Sequence, residues 1–254
     1  MKKRRRVVNK KQGHGFKILL ALFVLFALGT AAHFCYNFIL GWDKLNVKKI
    51  EIRGLSVLNE EYVKKLIDMK MGDNIFSYKL DDELLLKEQW VERAKLGRVL
   101  PDKIVVKVKE RVPAAMFVDK GREFIITLDD KIVRTVAAAE EKYKIPLWSD
   151  YNDLASGRRG EIMSFLKHIR EKENSFYEGI KSFYMEGESL KMNMADHVVI
   201  FGRPTLDLVG EKLQSVRKVI SGAAAKGQNI QYIDLRPFTK KMRSAIIKFQ
   251  KGVE

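Results

Sequence analysis

The chain has 254 residues, one cysteine and a formal net charge of +16, from 48 Lys and Arg against 32 Asp and Glu. A single cysteine excludes an internal disulfide framework and a thiolate metal cluster, so stability must come from a packed core. The charge points first to nucleic acid, but half of the excess sits in residues 1–17, where Lys2, Lys3, Arg4, Arg5, Arg6, Lys10, Lys11 and Lys17 meet no Asp or Glu.

Behind that tail, Ile18–Leu40 holds no Asp, Glu, Lys or Arg, and as a helix it would rise about 34 Å, enough for a bilayer core. A basic segment ahead of a span predicts a cytoplasmic N-terminus, lying against anionic lipid, and an exported remainder. A cleaved signal peptide begins the same way, with small residues near Ala32, but the apolar run is longer than a signal core. The expectation is an anchor, with Cys35 inside it. Late in the chain, from Arg203 to Glu254, eleven Lys or Arg face four Asp or Glu. That is either a solvated basic face or a surface for an acidic partner or anionic lipid.

After a short linker, Val47–Gly54 alternates apolar Val47, Ile50 and Ile52 with charged residues, a strand closed by glycine. Asn59 is placed to cap a helix with Glu60 and Glu61 in its first turn and Val63, Leu66 and Ile67 on one face, before Gly72. Asp81 is placed to cap a second, with Asp82 and Glu83 next and Leu84, Leu85 and Leu86 buried. Trp90 is expected to pack against Leu84 and Leu85. A hairpin follows: a strand from near Glu92 to Val99, a turn at Pro101 and Asp102, and a strand from Lys103. In it Ile104, Val106 and Val108 face the core, while Val105, Lys107, Lys109 and Arg111 face water. The order β-α-α-β-β predicts a three-stranded sheet with two helices on its apolar face.

These residues carry a resemblance. "VKKIEIRGLSVLNEEYVKKLI", "MGDNIF" and "QWVERAKLGRVLPDKIVVKVKERVPAAMF" resemble the POTRA domain of the FtsQ/DivIB bacterial cell-division proteins. The family pattern stands at Trp90, Val91, Ala94, Arg98, Leu100, Pro101, Glu110, Arg111, Pro113 and Ala115, and its placement after a basic tail and one span fits as well. Beyond Val118, "FIITLDDKIVR" resembles the hairpin opening the family's second, β-rich domain, with Asp129 and Asp130 where a turn glycine is expected. "IPLWSD" resembles its Leu-Pro segment, with aspartate where glycine is usual.

Further on, Ile162, Phe165, Leu166 and Ile169 recur at helical spacing. Leu190, Met192 and Met194, then "HVVIFG", give two strands, and a second helix is expected to bury Leu206, Val209, Leu213, Val216 and Ile220. "SGAAAKGQ" reads as a linker. "IQYIDLR" matches the family's late Asp-Leu-Arg strand, and "MRSAIIKF" (Met242–Phe249) reads as a terminal strand. Pro237, where the family has tyrosine, would interrupt a ladder, so a longer turn is expected between them. The expected architecture is α+β: a basic cytoplasmic tail (1–17), a transmembrane helix (18–40), a POTRA domain (45–117) and a larger mixed β-rich domain with helices (118–250).

Catalytic patterns find little support. Ser164-x-x-Lys167 and Ser215-x-x-Lys218 have the Ser-x-x-Lys spacing of penicillin-binding enzymes, but such short matches arise by chance. Both lie in amphipathic helices with Ser and Lys outward, and neither is followed by Ser-Asp-Asn or Lys-Thr-Gly. His168 and His197 lack metal-site spacing, and no phosphate or dinucleotide loop is present. No catalytic residue, metal, cofactor or nucleic acid is expected. The terminal strand, short of acids and flanked by Lys240, Lys241 and Lys248, is either a charged, self-protecting edge or a docking edge for a partner strand.

The resemblance implies docking. It implies a non-enzymatic scaffold of the divisome, in the cytoplasmic membrane at the septum with its bulk extracytoplasmic. Such a scaffold holds small single-span coiled-coil proteins of FtsB/FtsL type, and other division proteins, and links them to septal peptidoglycan synthesis. It implies partner contacts at Asp234, Leu235, Arg236, Phe238, Met242, Ser244, Ile246 and Lys248, and a structural motif at Trp90, Arg98, Pro101, Glu110, Arg111 and Pro113. The rival readings are a POTRA-type chaperone that binds exported peptides and a membrane-tethered envelope enzyme.

Overall fold

The computed structural model describes residues 14–67, 71–78 and 82–250. Most of the basic tail and the cap read at Asp81 lie outside the described residues. The chain divides into two compact units, one of Met1–Glu51, Asp68–Leu80 and Leu96–Val106, the other of Ile52–Ile67, Asp81–Lys95 and Lys107–Glu254.

Helix α1 (His14–Leu40) is apolar on every side, so it has no face to bury against a soluble core. Its Phe16–Leu40 stretch is the single helix among the described residues long and apolar enough to cross a membrane. A 3-10 turn at Asp43–Leu45 follows, and then β1 (Lys49–Arg53), α2 (Glu60–Ile67), α3 (Asp82–Lys87), β2 (Val91–Val99) and β3 (Lys103–Glu110). The three strands form a sheet in the order β1-β3-β2, the β-α-α-β-β arrangement expected. Asn59 caps α2, its Oδ1 accepting from the Glu61 amide at 2.7 Å. On β3 the expected inward residues Ile104, Val106 and Val108 are buried, but so is Val105, which corrects its assignment to the wet face.

The unit that carries α1 is tied together by backbone and arginine contacts. Arg98 donates from Nε to the Ile75 carbonyl at 2.9 Å and from Nη2 to that of Tyr78 at 2.6 Å, so it holds the 71–78 segment. The hairpin turn carries a cis peptide at Leu100–Pro101, and the Asp102 carbonyl accepts from the Lys48 and Lys49 amides.

In the other unit, Gly54 sits at φ +91°, where a side chain would collide with the Val108 carbonyl, so only glycine ends β1 there. The chain then turns through Ser56–Leu58 around one carboxylate. Glu110, buried at the end of β3, accepts from the amides of Ser56 and Val57 at 2.9 Å and of Leu58 at 2.8 Å. Arg111 donates to the Gln89 carbonyl and pairs with Asp129. Trp90 packs with Ile125, Val133 and Ala139, flanked by Val57, Leu58, Met116, Val136 and Ile145, and its indole N–H donates to the Arg134 carbonyl at 3.1 Å. This corrects its expected seat against Leu84 and Leu85: a large ring goes where the apolar area is greatest.

The same unit contains β4 (Pro113–Asp119), β5 (Arg122–Thr127), β6 (Ile132–Arg134), α4 (Ala137–Lys142), β7 (Leu147–Trp148), α5 (Ser156–Lys172), α6 (Asn174–Gly179), β8 (Ser182–Glu186), β9 (Ser189–Asn193), β10 (Val198–Gly202), α7 (Val209–Ala225), β11 (Ile230–Asp234) and β12 (Ile246–Phe249). Its nine strands form one mixed sheet, β12-β11-β10-β9-β8-β7-β4-β5-β6, so Pro113, buried at the start of β4, belongs to this sheet. Pairs β10/β11, β4/β7 and β7/β8 run parallel.

The main core joins Phe165, Leu166 and Ile169 of α5 and Val209, Leu213 and Val216 of α7 to the strands' Phe183, Met192 and Phe201. Ile126 of β5 points into it, while neighbouring Ile125 points into the Trp90 cluster, as alternation requires. Asp130 takes φ +60° in the β5/β6 turn, supplying the conformation that the missing glycine would have, which aspartate tolerates. Leu206 and Ile220 are 53% and 36% exposed, correcting their expected burial. The "SGAAAKGQ" linker is largely the last turn of α7, with Ala223 buried.

Removing the carboxylate with Glu110→Ala leaves three amides without their acceptor and is expected to cost about 3 kcal/mol. Glu110→Gln, which keeps one acceptor oxygen, is expected to fall between that variant and the parent in urea unfolding. Unfolding midpoints equal to the parent's in both would show that the loop does not depend on this residue.

Candidate functional site

The candidate site is the β11/β12 end of the large sheet, where a corner built on two opposite charges hands the chain to an outermost strand. β11 runs parallel to β10, and the Leu235 amide extends that pairing by donating to the Ile200 carbonyl at 2.8 Å. At the corner Asp234 accepts from the Arg236 amide at 2.9 Å and from its Nε at 3.0 Å, and its second oxygen accepts from Nη2 at 2.7 Å. Burial pushes the Asp234 carboxyl up, but the Arg236 hydrogen bonds and the Arg236 and Lys191 charges outweigh it and hold it below the usual carboxylate range.

Leu235 and Phe238 are buried in the main core, and the Phe238 amide donates to the Leu235 carbonyl at 3.0 Å. Thr239 and Met242 then close a small loop, the Thr239 amide donating to the Met242 carbonyl at 2.7 Å and the Met242 amide to Thr239 Oγ1 at 3.0 Å. The long turn expected from Pro237 is present, and it takes residues 242–245 from the expected strand: β12 begins at Ile246, which corrects "MRSAIIKF" to its last four residues.

β12 pairs antiparallel with β11 in the register Asp234↔Ile246, Ile233↔Ile247, Tyr232↔Lys248 and Ile230↔Phe249, and among the described residues it has no strand on its other side. Ile247 packs on the core. Ile246, Lys248, Phe249, Met242 and Ser244 are exposed, and Lys248 Nζ lies 5.8 Å from the centre of the Tyr232 ring. The eight expected contact residues therefore separate. Met242, Ser244, Ile246 and Lys248 present surface, Arg236 presents its guanidinium's outer side, and Asp234, Leu235 and Phe238 hold the corner from inside. Tyr232 and Phe249 share the edge and are not among them; alternation places Tyr232 on the face of Asp234, whereas it places Phe249 with the core-facing Ile247, and Phe249 is exposed at the strand's end.

Two of the residues tested for chemistry are engaged otherwise. Ser164 Oγ donates to the Gly160 carbonyl at 2.9 Å, and Lys167 pairs with Asp130 at 2.9 Å. Lys218 is exposed on α7. His197 stands before β10, its pKa lowered by burial against the opposing pull of Asp196. Among the described residues no group of three or more His, Cys, Asp or Glu is placed to hold a metal.

Comparison with known proteins gives this arrangement its class. Residues 45–111 match the family described as the POTRA domain, FtsQ-type. The chain is 20% identical over 231 residues to the cell division protein FtsQ of Geotalea daltonii, covering 86% of this chain and 82% of that one. It is 28% identical over 136 residues to FtsQ of Rickettsia felis (50% and 51% covered) and 25% identical over 150 residues to the cell division protein DivIB of Clostridium tetani (52% and 54% covered). The fold is that of an apolar N-terminal helix followed by a POTRA domain and a larger mixed-sheet domain. The chain carries a POTRA domain of FtsQ type, and the curated proteins it resembles are cell division proteins named FtsQ or DivIB.

The depressed Asp234 pKa fixes a sign. Its stabilisation is present at neutral pH and is lost as pH falls below about 4, the unfolded value, through the lower folded one. Asp234→Asn is expected to be less stable than the parent at pH 7 and to lose less on acidification. Thermal unfolding across the acid range checks this, and parallel curves for the two proteins would refute it.

Proposed function

We propose that the chain is a non-enzymatic, single-span scaffold of the divisome, with its N-terminus in the cytoplasm and its bulk outside at the septum. It holds small single-span coiled-coil division proteins of FtsB/FtsL type through strand addition at β12, and through them and other division proteins it links to septal peptidoglycan synthesis. The observation that carries this reading is an outermost strand whose exposed residues, Ile246, Lys248 and Phe249, are apolar or basic, on a sheet of eight further strands that fixes its position. An open edge of this kind offers backbone hydrogen bonds to an added strand, and its side chains select it. The basic rim favours a partner segment with Asp or Glu beside its apolar residues.

The test is capture of envelope proteins of this class by the full chain and by an Ile246→Pro variant, which removes one amide and bends the edge. The expected outcome is capture by the parent, weakened at least about tenfold in the variant, equivalent to 1.4 kcal/mol, with circular dichroism unchanged. Equal capture by both forms would move the contact away from β12.

A further inference from the structure

We propose that the segment Met71–Phe76 is a second membrane contact: it lies in the lipid headgroup layer beside the end of α1, with Met71, Phe76 and Trp42 against the bilayer surface. The inference rests on α1 being the membrane anchor, as the function above requires, and goes beyond it by giving the exported unit a fixed attachment to lipid.

A helix ends with carbonyls that have no intrahelical partner. At the end of α1 two of these are met by a side chain from far along the sequence: Asn74 Nδ2 donates to the carbonyls of Ile39 at 2.8 Å and Leu40 at 3.0 Å. The same buried side chain accepts from the Phe76 amide through Oδ1 at 3.0 Å, so the residue that caps the span also sets Phe76. Backbone bonds secure the arrangement: Ile75 N–H to Leu45 O at 2.8 Å, Val47 N–H to Asp73 O at 2.9 Å and Gly72 N–H to Val47 O at 2.9 Å.

Height above the bilayer follows from these bonds. Leu40 is the last residue of the apolar run, so Asn74 stands at the boundary of the hydrocarbon. Phe76 and Met71 are two and three residues from it, within roughly 7 and 11 Å of extended chain, against a headgroup layer of about 5–8 Å on each side of the core.

The side chains suit that layer. Asn74 and Ile75 are buried, yet Met71 is 69%, Phe76 47% and Trp42 45% exposed. Trp42 is one turn beyond Phe38, their rings 6.1 Å apart, and Lys44 Nζ lies 6.0 Å from the Trp42 ring. An aromatic ring with a lysine beside it at a span's end is an interfacial anchor. Open to water, these three apolar side chains would cost free energy; against lipid they are favourable.

The test places the full chain, one copy per lipid nanodisc, and reads the quenching of a thiol-linked fluorophore. One label goes on native Cys35, within the span. Others go on Met71→Cys and Phe76→Cys, each combined with Cys35→Ser, with the same fluorophore capped by a small thiol and free in solution as the reference. Nitroxide on the lipid headgroup is expected to quench labels at 71 and 76 several-fold more than the free fluorophore, while bromine near the bilayer centre quenches the Cys35 label. Labels at 71 or 76 that behave like the free fluorophore, with Cys35 quenched, would overturn this inference and leave the anchor standing. Labels at 71 and 76 shielded from aqueous quencher but not reached by the headgroup nitroxide would mean a protein contact there and would also overturn it. An unquenched Cys35 would remove the anchor, and this inference with it.

Discussion

One carboxylate organises the sheet of the POTRA domain. Glu110 ends the strand that lies between the other two, and its two oxygens take three successive amides from the loop leaving β1. A loop that turns from a strand to a helix has amides with no ladder partner, and burying them unmet costs about 1–3 kcal/mol each. One ionised side chain meets them together, and hydrogen bonds to an ionised acceptor are the stronger kind. The neighbours act in the same region. Arg111 crosses to the Gln89 carbonyl, and Trp90 fills a cluster with Val57 and Leu58 of that loop. Trp90, Glu110 and Arg111 thus form one assembly around a turn, while Pro113 begins a strand of the larger sheet.

A sheet of nine strands that does not close has two outer strands, and the protein treats them differently. β6 is three residues long, one accepted way to blunt an edge. β12 is also short, but it is preceded by a loop whose geometry is specified in detail, from the Asp234–Arg236 pair through the buried Leu235 and Phe238 to the Thr239–Met242 bonds. The buried members set the position of the exposed ones, so substitutions at Leu235 or Phe238 would act on any partner indirectly, by displacing β12.

Much of this was legible in the sequence, for reasons that differ by element. α1 was plain because an unbroken apolar run has few other uses. The POTRA hairpin was plain because alternation in β3 coincides with turn chemistry at Pro101 and Asp102. What failed had competing signals. Trp90 followed a leucine-rich helix, and proximity in sequence suggested Leu84 and Leu85, whereas its partners Ile125 and Val133 come from strands well beyond it. β8 was not read because "SFYME" has only one fully buried residue, Phe183. The terminal strand is shorter than its sequence suggests: Met242 is held by the Thr239 hydrogen bonds, and residues 242–245 precede β12. The β5/β6 turn was legible as a turn, while the fact that Asp130 would accept a left-handed conformation was not.

The charge of the late segment also resolves once its arginines are followed. Arg203 pairs with Glu188, Arg217 with Glu173, Arg236 with Asp234 and Arg243 with Glu211, so every arginine there is held by a carboxylate of the protein. The planar guanidinium suits such fixed pairs, whereas the lysine ammonium is a more hydrated point charge on a flexible stem. Lys240, Lys241 and Lys248 form no ion pair among the described residues, and they flank the edge strand. Part of the basic surplus at this end of the chain is therefore carried by Lys240, Lys241 and Lys248 around β12, while Lys212, Lys218 and Lys226 belong to α7 and its end. Charges of this kind steer encounter and weaken with salt over about 8–10 Å, while the directional bonds come from the strand's own backbone. In the proposed docking, attraction and register would thus be assigned to different parts of the same edge.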